Sequence, residues 1–228
     1  MTAIHLHRGD LPAGLALGPV VAIDTETMGL DPRRDRLCLV QLSAGDGTAH
    51  LVQIGRAAGP TSMGPAGMGP AGMGPAGMGQ GRADCPNLRS LLADPAVTKL
   101  FHFARFDVAM LAHALGVEVA PVICTKIASK LVRTYTDRHG LKDLCRDLLG
   151  VEISKQQQSS DWGAEELTAE QRAYAASDVL HLHALWAKLE ALLVREGRLE
   201  LARACFAFLP VRGRLDLLGY TEPDIFAH

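Results

Sequence analysis

The chain has 228 residues, 48% of them hydrophobic, and carries 23 lysine and arginine residues against 25 aspartate and glutamate, for a formal net charge of −2 at pH 7. That is enough apolar material for one good-sized core in one domain. The near-neutral balance excludes global attraction to a polyanion, so any nucleic acid must be held by a local site or through bound cations.

Taken in chain order, Met1 to His5 lacks the basic and apolar regions of a signal peptide, and no apolar stretch approaches membrane-spanning length. A cytoplasmic protein with no membrane partner is expected. Val20 to Ile23 is a continuous apolar run of strand type, followed by Leu37 to Leu42 and His50 to Ile54. Gly45-Asp46-Gly47 suits a tight turn at positive φ, which predicts that these strands are antiparallel neighbours. Residues 59–78 then break the pattern with Gly-Pro-Thr-Ser-Met and three Gly-Pro-Ala-Gly-Met units starting at Gly64, Gly69 and Gly74. Their glycines alternate between spacings of three and two, which excludes a collagen triple helix. The tract reads as an insertion over about residues 57–82, in a tolerant surface connection.

Beyond it, helix-type and strand-type stretches alternate: Leu88 to Leu92, Lys99 to Phe103, Val108 to Leu115, and Val122 to Cys124. The last third is helical, with Leu141 to Leu149 ending at Gly150 and an amphipathic run from Thr168 to about Glu196 ending at Gly197. The pattern predicts an α/β fold, a mixed β-sheet flanked by α-helices, in a single domain over 1–228. The five scattered cysteines form no Cys-x-x-Cys pair and read as buried thiols.

Chemistry is concentrated in three acidic segments: Asp24-Thr25-Glu26, Phe101 to Asp107, and Tyr174-Ala175-Ala176-Ser177-Asp178. Side chains alternate along a strand, so Asp24 and Glu26 project from one face at the end of an apolar run. Tyr174 lies one helical turn before Asp178, so both point to one side of their helix. Asp107, just past a strand, would be delivered beside that pair. Carboxylates clustered in a low-dielectric site repel one another, which signals hard divalent cations that take oxygen ligands, Mg2+ or Mn2+. Two such ions about 3.5–4 Å apart would activate water and stabilise the leaving 3′ oxygen in phosphodiester hydrolysis, with Asp24 bridging. Tyr174 would position the attacking water rather than abstract its proton, because a tyrosine's ordinary pKa is high.

Each segment alone has an ordinary structural reading: a solvated strand end, a core tyrosine beside a surface acid, a helix N-cap. Their coincidence in this order reverses the odds. His5/His7 and His181/His183 are assigned to structure or surface, since i and i+2 positions on a helix diverge. Gly45-Asp46-Gly47 is not followed by a phosphate-binding helix start, which disfavours a nucleoside triphosphatase.

The three acidic segments resemble the exonuclease motifs of the DEDDy group of 3′→5′ exonucleases, which contains RNase D and proofreading domains. The sister group has a histidine five residues before the last aspartate, where this chain has Ala173. Lys155 to Trp162 resembles the Lys-Ser to Asp-Trp segment of RNase D. Thr134 to Lys142, Gln156 to Trp162 and Asp224 to His228 resemble nano-RNase C, a family of short RNase D-like enzymes without the helical domains that follow the nuclease in RNase D. The resemblance implies an RNase H-like fold, Asp24, Glu26, Asp107 and Asp178 as metal ligands, Tyr174 as the further catalytic residue, cleavage of short oligoribonucleotides and notably dinucleotides at the end of RNA decay, and ring-like homo-octamers. The Gly-Pro-Ala-Gly-Met tract departs from the family pattern.

For substrate, Leu30 would wedge against a base, and an apolar contact of that kind tolerates any base. His102 would contact the sugar or scissile phosphate, while Arg138, His139, Lys155, Gln157, Gln158 and Ser159 would hold the 5′ phosphate of a short RNA. RNase D-like trimming of tRNA and a catalytically silent RNA-binding scaffold are the alternatives.

Overall fold

A computed structural model describes residues 2–55, 83–154, 156–222 and 225. The repeat tract and Lys155 lie outside the described residues, as does most of the C-terminal Asp224 to His228 segment. Six strands, β1 (Ala3–Arg8), β2 (Val20–Thr27), β3 (Leu37–Ser43), β4 (Thr48–Gln53), β5 (Thr98–Phe101) and β6 (Val122–Cys124), form one sheet in the order β1-β4-β3-β2-β5-β6. β3 runs antiparallel to β2 and β4, whereas β1 pairs with β4, and β5 with β2 and β6, in parallel. The helices are α1 (Pro86–Ala93), α2 (Ala104–Leu115), α3 (Thr125–Val132), α4 (Leu141–Leu144), α5 (Ala169–Leu180), α6 (Leu182–Arg195) and α7 (Leu199–Leu217). This is the mixed sheet flanked by helices of an RNase H-like fold.

The expected hairpin is present. Gly45 and Gly47 take φ of 80° and 87° between β3 and β4, values that a side chain would strain. Every residue of β3 is buried because both faces of the sheet are covered. Leu39 joins a small cluster with Leu51, Trp162, Leu167 and Ala175 beneath α5, while Val40 and Leu42 belong to the main core. Cys38, Cys85, Cys124 and Cys145 are buried free thiols, and Cys205 is partly exposed.

Four boundaries differ from the sequence expectation. β1 was not expected: as a largely exposed edge strand, it lacks the apolar run that marks a buried strand. α2 begins at Ala104, because Phe103 turns the chain at φ 69° directly after β5. The Leu141 to Leu149 helix is α4 continued by a π-helical turn over Cys145–Leu149; Gly150 ends it at φ 68°, and Val151 N–H reaches back to the Cys145 carbonyl at 3.1 Å. The long amphipathic run breaks at His181 (φ −99°, ψ −8°). α5 packs on β2, β3 and β4, whereas α6 buries Leu182, Leu185, Leu189 and Leu193 and packs against α3, so one straight helix cannot serve both surfaces. His183 secures the break by donating from Nε2 to the Val20 carbonyl at 3.0 Å.

α7, also absent from the sequence reading, packs along α2 and is pinned by charge. Arg105 of α2 donates through Nε and Nη2 to Asp216 at 2.7 Å each, and Arg212 donates to the same carboxylate at 2.6 Å. Burial alone would raise the Asp216 carboxyl, yet these arginines outweigh it and hold its pKa below the usual range. Removing the shared acceptor leaves cations facing each other at a buried position. Asp216→Ala should therefore cost about 3–5 kcal/mol in urea unfolding, and a loss below ~1 kcal/mol would show that the network is not what holds α7.

Candidate active site

β2 pairs with β5 only through Val20, Ala22 and the residue between them, so the strand outruns its parallel neighbour before it reaches Asp24. Asp24 stands opposite Gln41 of β3 and shares with Glu26 the face that α5 covers. Thr25 points to the other face, where its hydroxyl donates to Asp107 Oδ1 at 2.7 Å. Asp107 sits in the first turn of α2, where the helix dipole favours negative charge. The acidic groups thus approach from both faces at the open end of a strand.

α5 supplies the remaining two groups. Its start is fixed by a capping box in which the Thr168 hydroxyl accepts from Gln171 N–H at 3.2 Å and Gln171 Oε1 accepts from Thr168 N–H at 2.9 Å. Gln171 also donates to the Asp161 carbonyl at 3.1 Å, which seats Trp162 against Tyr174 with ring centroids 6.0 Å apart. Tyr174 shares a hydrogen bond with Asp178 one turn later. Ligand oxygens of Asp24, Glu26 and Asp178 lie within 4.8 Å of one another. Asp107 completes the acidic set from the α2 side and is the strongest charged neighbour of Asp24.

The cost of this arrangement appears in the protonation equilibria. Burial, then repulsion from Asp107, Asp178 and Glu26, holds Asp24 well above the usual carboxylate range. Burial and the charges of Asp178 and Asp107 push Glu26 up to about 9. Burial pushes Asp107 up to about 7, against the hydrogen bond from Thr25 that favours its charged form. Burial and the neighbouring carboxylates also drive the Tyr174 phenol far above its ordinary value, so it remains a neutral hydroxyl. A cluster of oxygen donors that resist ionisation together is chemically matched to hard divalent cations, which remove the repulsion.

Around the acids, His102 Nδ1 lies 2.9 Å from Thr125 Oγ1, whose hydroxyl donates to the Phe101 carbonyl at 3.2 Å. That chain places the His102 proton on Nδ1. Leu30 is 85% exposed and, with exposed Phe103, Arg105, Phe106 and Asp216, lines a cavity of about 540 Å³ at the α2 end of the site. Arg138 and His139 lie on the loop after α3, with His139 Nδ1 2.8 Å from Ser129 Oγ, whereas Gln158 and Ser159 are exposed on the loop before α5. The three acidic segments converge, and the loop that carries Gln158 and Ser159 reaches them through Trp162, which packs on Tyr174. Sequence reasoning missed Gln41, which donates to Glu26 at 3.4 Å, and Phe103. A lone glutamine inside the apolar Leu37 to Leu42 run was the available signal for the first.

A family model described as 3′-5′ exonuclease matches residues 10–194, which include every acidic motif. The chain belongs to the 3′-5′ exonuclease family. Within it this exonuclease is RNase D-like: it is 34% identical to the Ribonuclease D of Acidiphilium cryptum over 82% of this chain and 41% of that protein. It spans about two-fifths of the curated ribonucleases D that it matches. Among solved structures it is similar to Brucella melitensis NrnC bound to pGG, with 53% identity, a TM-score of 0.86 and full coverage of both chains, and to the same protein with bound Mg2+, at a TM-score of 0.85. Escherichia coli RNase D shares 25% identity at a TM-score of 0.66, over 86% of this chain and 45% of that one. The family is divalent-metal dependent, and the carboxylates of this exonuclease fit that requirement.

The raised pKa values carry a stability consequence. Glu26 keeps its proton up to about pH 9 when folded, against an ordinary value of 4.5, and Asp107 up to about pH 7, against 3.8. The folded chain then binds more protons than the unfolded one between those limits, so stability is fully present below the unfolded values and is lost as pH rises through the folded ones. The metal-free exonuclease should melt at steadily lower temperature from about pH 5 to pH 9, Asp178→Asn should flatten the decline, and Mg2+ should reverse it. A metal-free melting temperature that rises over that window would contradict the assignment of these shifts.

Proposed function

We propose that this exonuclease is a metal-dependent 3′-5′ exoribonuclease that hydrolyses short oligoribonucleotides, dinucleotides foremost, to nucleoside 5′-monophosphates at the last step of RNA decay in the cytoplasm. The observation that carries the reading is the full-length likeness, in both chains, to an NrnC solved with pGG. The cavity lined by Leu30 and Phe103 is of a size suited to a small ligand rather than to a long polymer. The net charge of −2 also gives no global attraction for a long duplex.

In this reading Asp24, Glu26, Asp107 and Asp178 would hold two divalent ions, Mg2+ or Mn2+, which would supply Lewis-acid activation of water and neutralise charge at the phosphoryl oxygens. The chain's own groups do the positioning. Tyr174, neutral and anchored to Asp178, orients the water for in-line attack at phosphorus without taking its proton. Leu30 and Phe103 present apolar surface to the bases, and His102, fixed by Thr125, faces the scissile phosphate or its sugar. Arg138, His139, Lys155, Gln158 and Ser159 remain the candidates for the 5′ phosphate.

Residues 1–228 are read as one exonuclease domain with an insertion at about 57–82. A homo-oligomer, an octamer by resemblance, is supported by α7 and its C-cap, where Leu201, Phe208, Val211 and the capping Leu218 are exposed at heptad-like spacing. The second reading, RNase D-like 3′ trimming of tRNA, is favoured by the identity to the curated ribonucleases D.

A time course on 5′-labelled RNAs of two to seven nucleotides and on a 3′-extended tRNA, with Mg2+, separates the two. Rapid conversion of the dinucleotide and slow attack on longer chains is expected, with turnover abolished in Asp24→Asn and slowed about 10²-fold in Tyr174→Phe. Equal rates at every length would return the protein to general RNase D-like action. Undiminished turnover in Asp24→Asn would refute the catalytic assignment.

A further inference from the structure

The first strand carries chemistry that the exonuclease site does not use. His5 and His7 occupy alternate positions of β1 and therefore share one face of the sheet, and His5 pairs in register with His50 of β4. The three imidazoles stack, with ring centroids 5.2 Å apart for His5 and His50 and 5.3 Å apart for His7 and His50. His7 Nε2 and His50 Nδ1 lie 3.0 Å apart. Two nitrogens bound to one ion at 2.0–2.1 Å stand roughly 2.9–3.4 Å apart for angles between square and tetrahedral, so this pair is already spaced as ligands. His5 is exposed, and its ring can turn about its side-chain bonds to add a third nitrogen.

We propose that His5, His7 and His50 form a second metal site, for a borderline transition ion such as Zn2+, Ni2+ or Cu2+, that staples the edge strand β1 to β4. In the metal-free state one ring donates the proton that joins His7 Nε2 to His50 Nδ1. On binding, that ring moves its proton to its other nitrogen, so both facing nitrogens become acceptors for the ion and no net proton is lost. Burial, together with the neighbouring imidazoles, lowers the pKa of His7 and His50, which favours the neutral, ligating form. Among the described residues, only Asp24, Glu26 and Asp178 already bring three ligand atoms within 4.8 Å, and those are all oxygen. Nitrogen and oxygen donors therefore sort the ions, transition metal to the histidines and Mg2+ to the carboxylates. β1 stands to gain from such a staple, since it is an edge strand that pairs with β4 alone.

The test is a calorimetric titration of Zn2+ into the full chain saturated with Mg2+, together with imidazole NMR. The wild type should take up one Zn2+ per chain with the His5, His7 and His50 resonances moving together, and its melting temperature should rise. His7→Gln and His50→Gln should each weaken uptake by at least the ~10–100-fold that loss of a mere supporting group costs a metal site, with metal-free melting and Mg2+-dependent turnover unchanged. Absence of Zn2+ uptake over Mg2+, uptake at wild-type affinity in both variants, or imidazole resonances that stay in place in the wild type would overturn the proposal.

Discussion

Carboxyl groups that share a pocket with little water repel one another, and the geometry around β2 is organised to hold such a group of them together. Asp24 and Glu26 are placed by strand alternation, Asp178 by the helix that crosses their face, and Asp107 by the first turn of α2. Burial makes each position costly for a negative charge and outweighs the Thr25 hydrogen bond at Asp107, which is why Glu26 is pushed up to about 9 and Asp107 to about 7. The free energy stored there is what a divalent ion would release on binding, so the same repulsion that costs stability would create affinity.

The scaffold offsets that cost with contacts remote from the acids. The capping box at Thr168 and Gln171 sets the first residue of α5, and hence the rotation at which Tyr174 and Asp178 face the sheet. His183 locks the following break to the start of β2, close against Gly45, where a Cβ would meet the imidazole at 2.8 Å. On the opposite side, the bridge from Arg105 to Asp216 fixes α2 against α7 and with it the turn that carries Phe103 and Asp107. The acidic site is thus bounded by helices and strands on both faces of the sheet, with Trp162 of the loop before α5 packed on Tyr174.

Much of this was legible in the sequence, and the limits are physical. β2, β3 and β4 announce themselves because they are buried and apolar, and Gly45 and Gly47 because their φ values need glycine. β1 was invisible: an exposed edge strand has no apolar run to display. The break at His181 was invisible too, since neither glycine nor proline marks it and the leucine spacing continues through it; the change of packing partner, a tertiary fact, causes it. The carboxylates and Tyr174 could be read because strand and helix periodicities fix their directions. Arg138, His139, Gln158 and Ser159 lie on loops, where no periodicity relates position to direction, so sequence could name them but not aim them. His50 shows the same limit from another angle, because only strand pairing brings it to His5 and His7.

The central claim, that ionisation of the carboxylate cluster is suppressed until a cation binds, is tested most directly by counting protons. Mg2+ or Mn2+ binding would be followed by calorimetry near pH 7 in buffers of different ionisation enthalpy, and repeated at higher pH. The account predicts net release of about one proton or more per chain near pH 7, declining as pH passes the folded value of about 9 for Glu26. Binding enthalpies that do not depend on the buffer would mean that the carboxylates are already ionised before the ion arrives, and would contradict it.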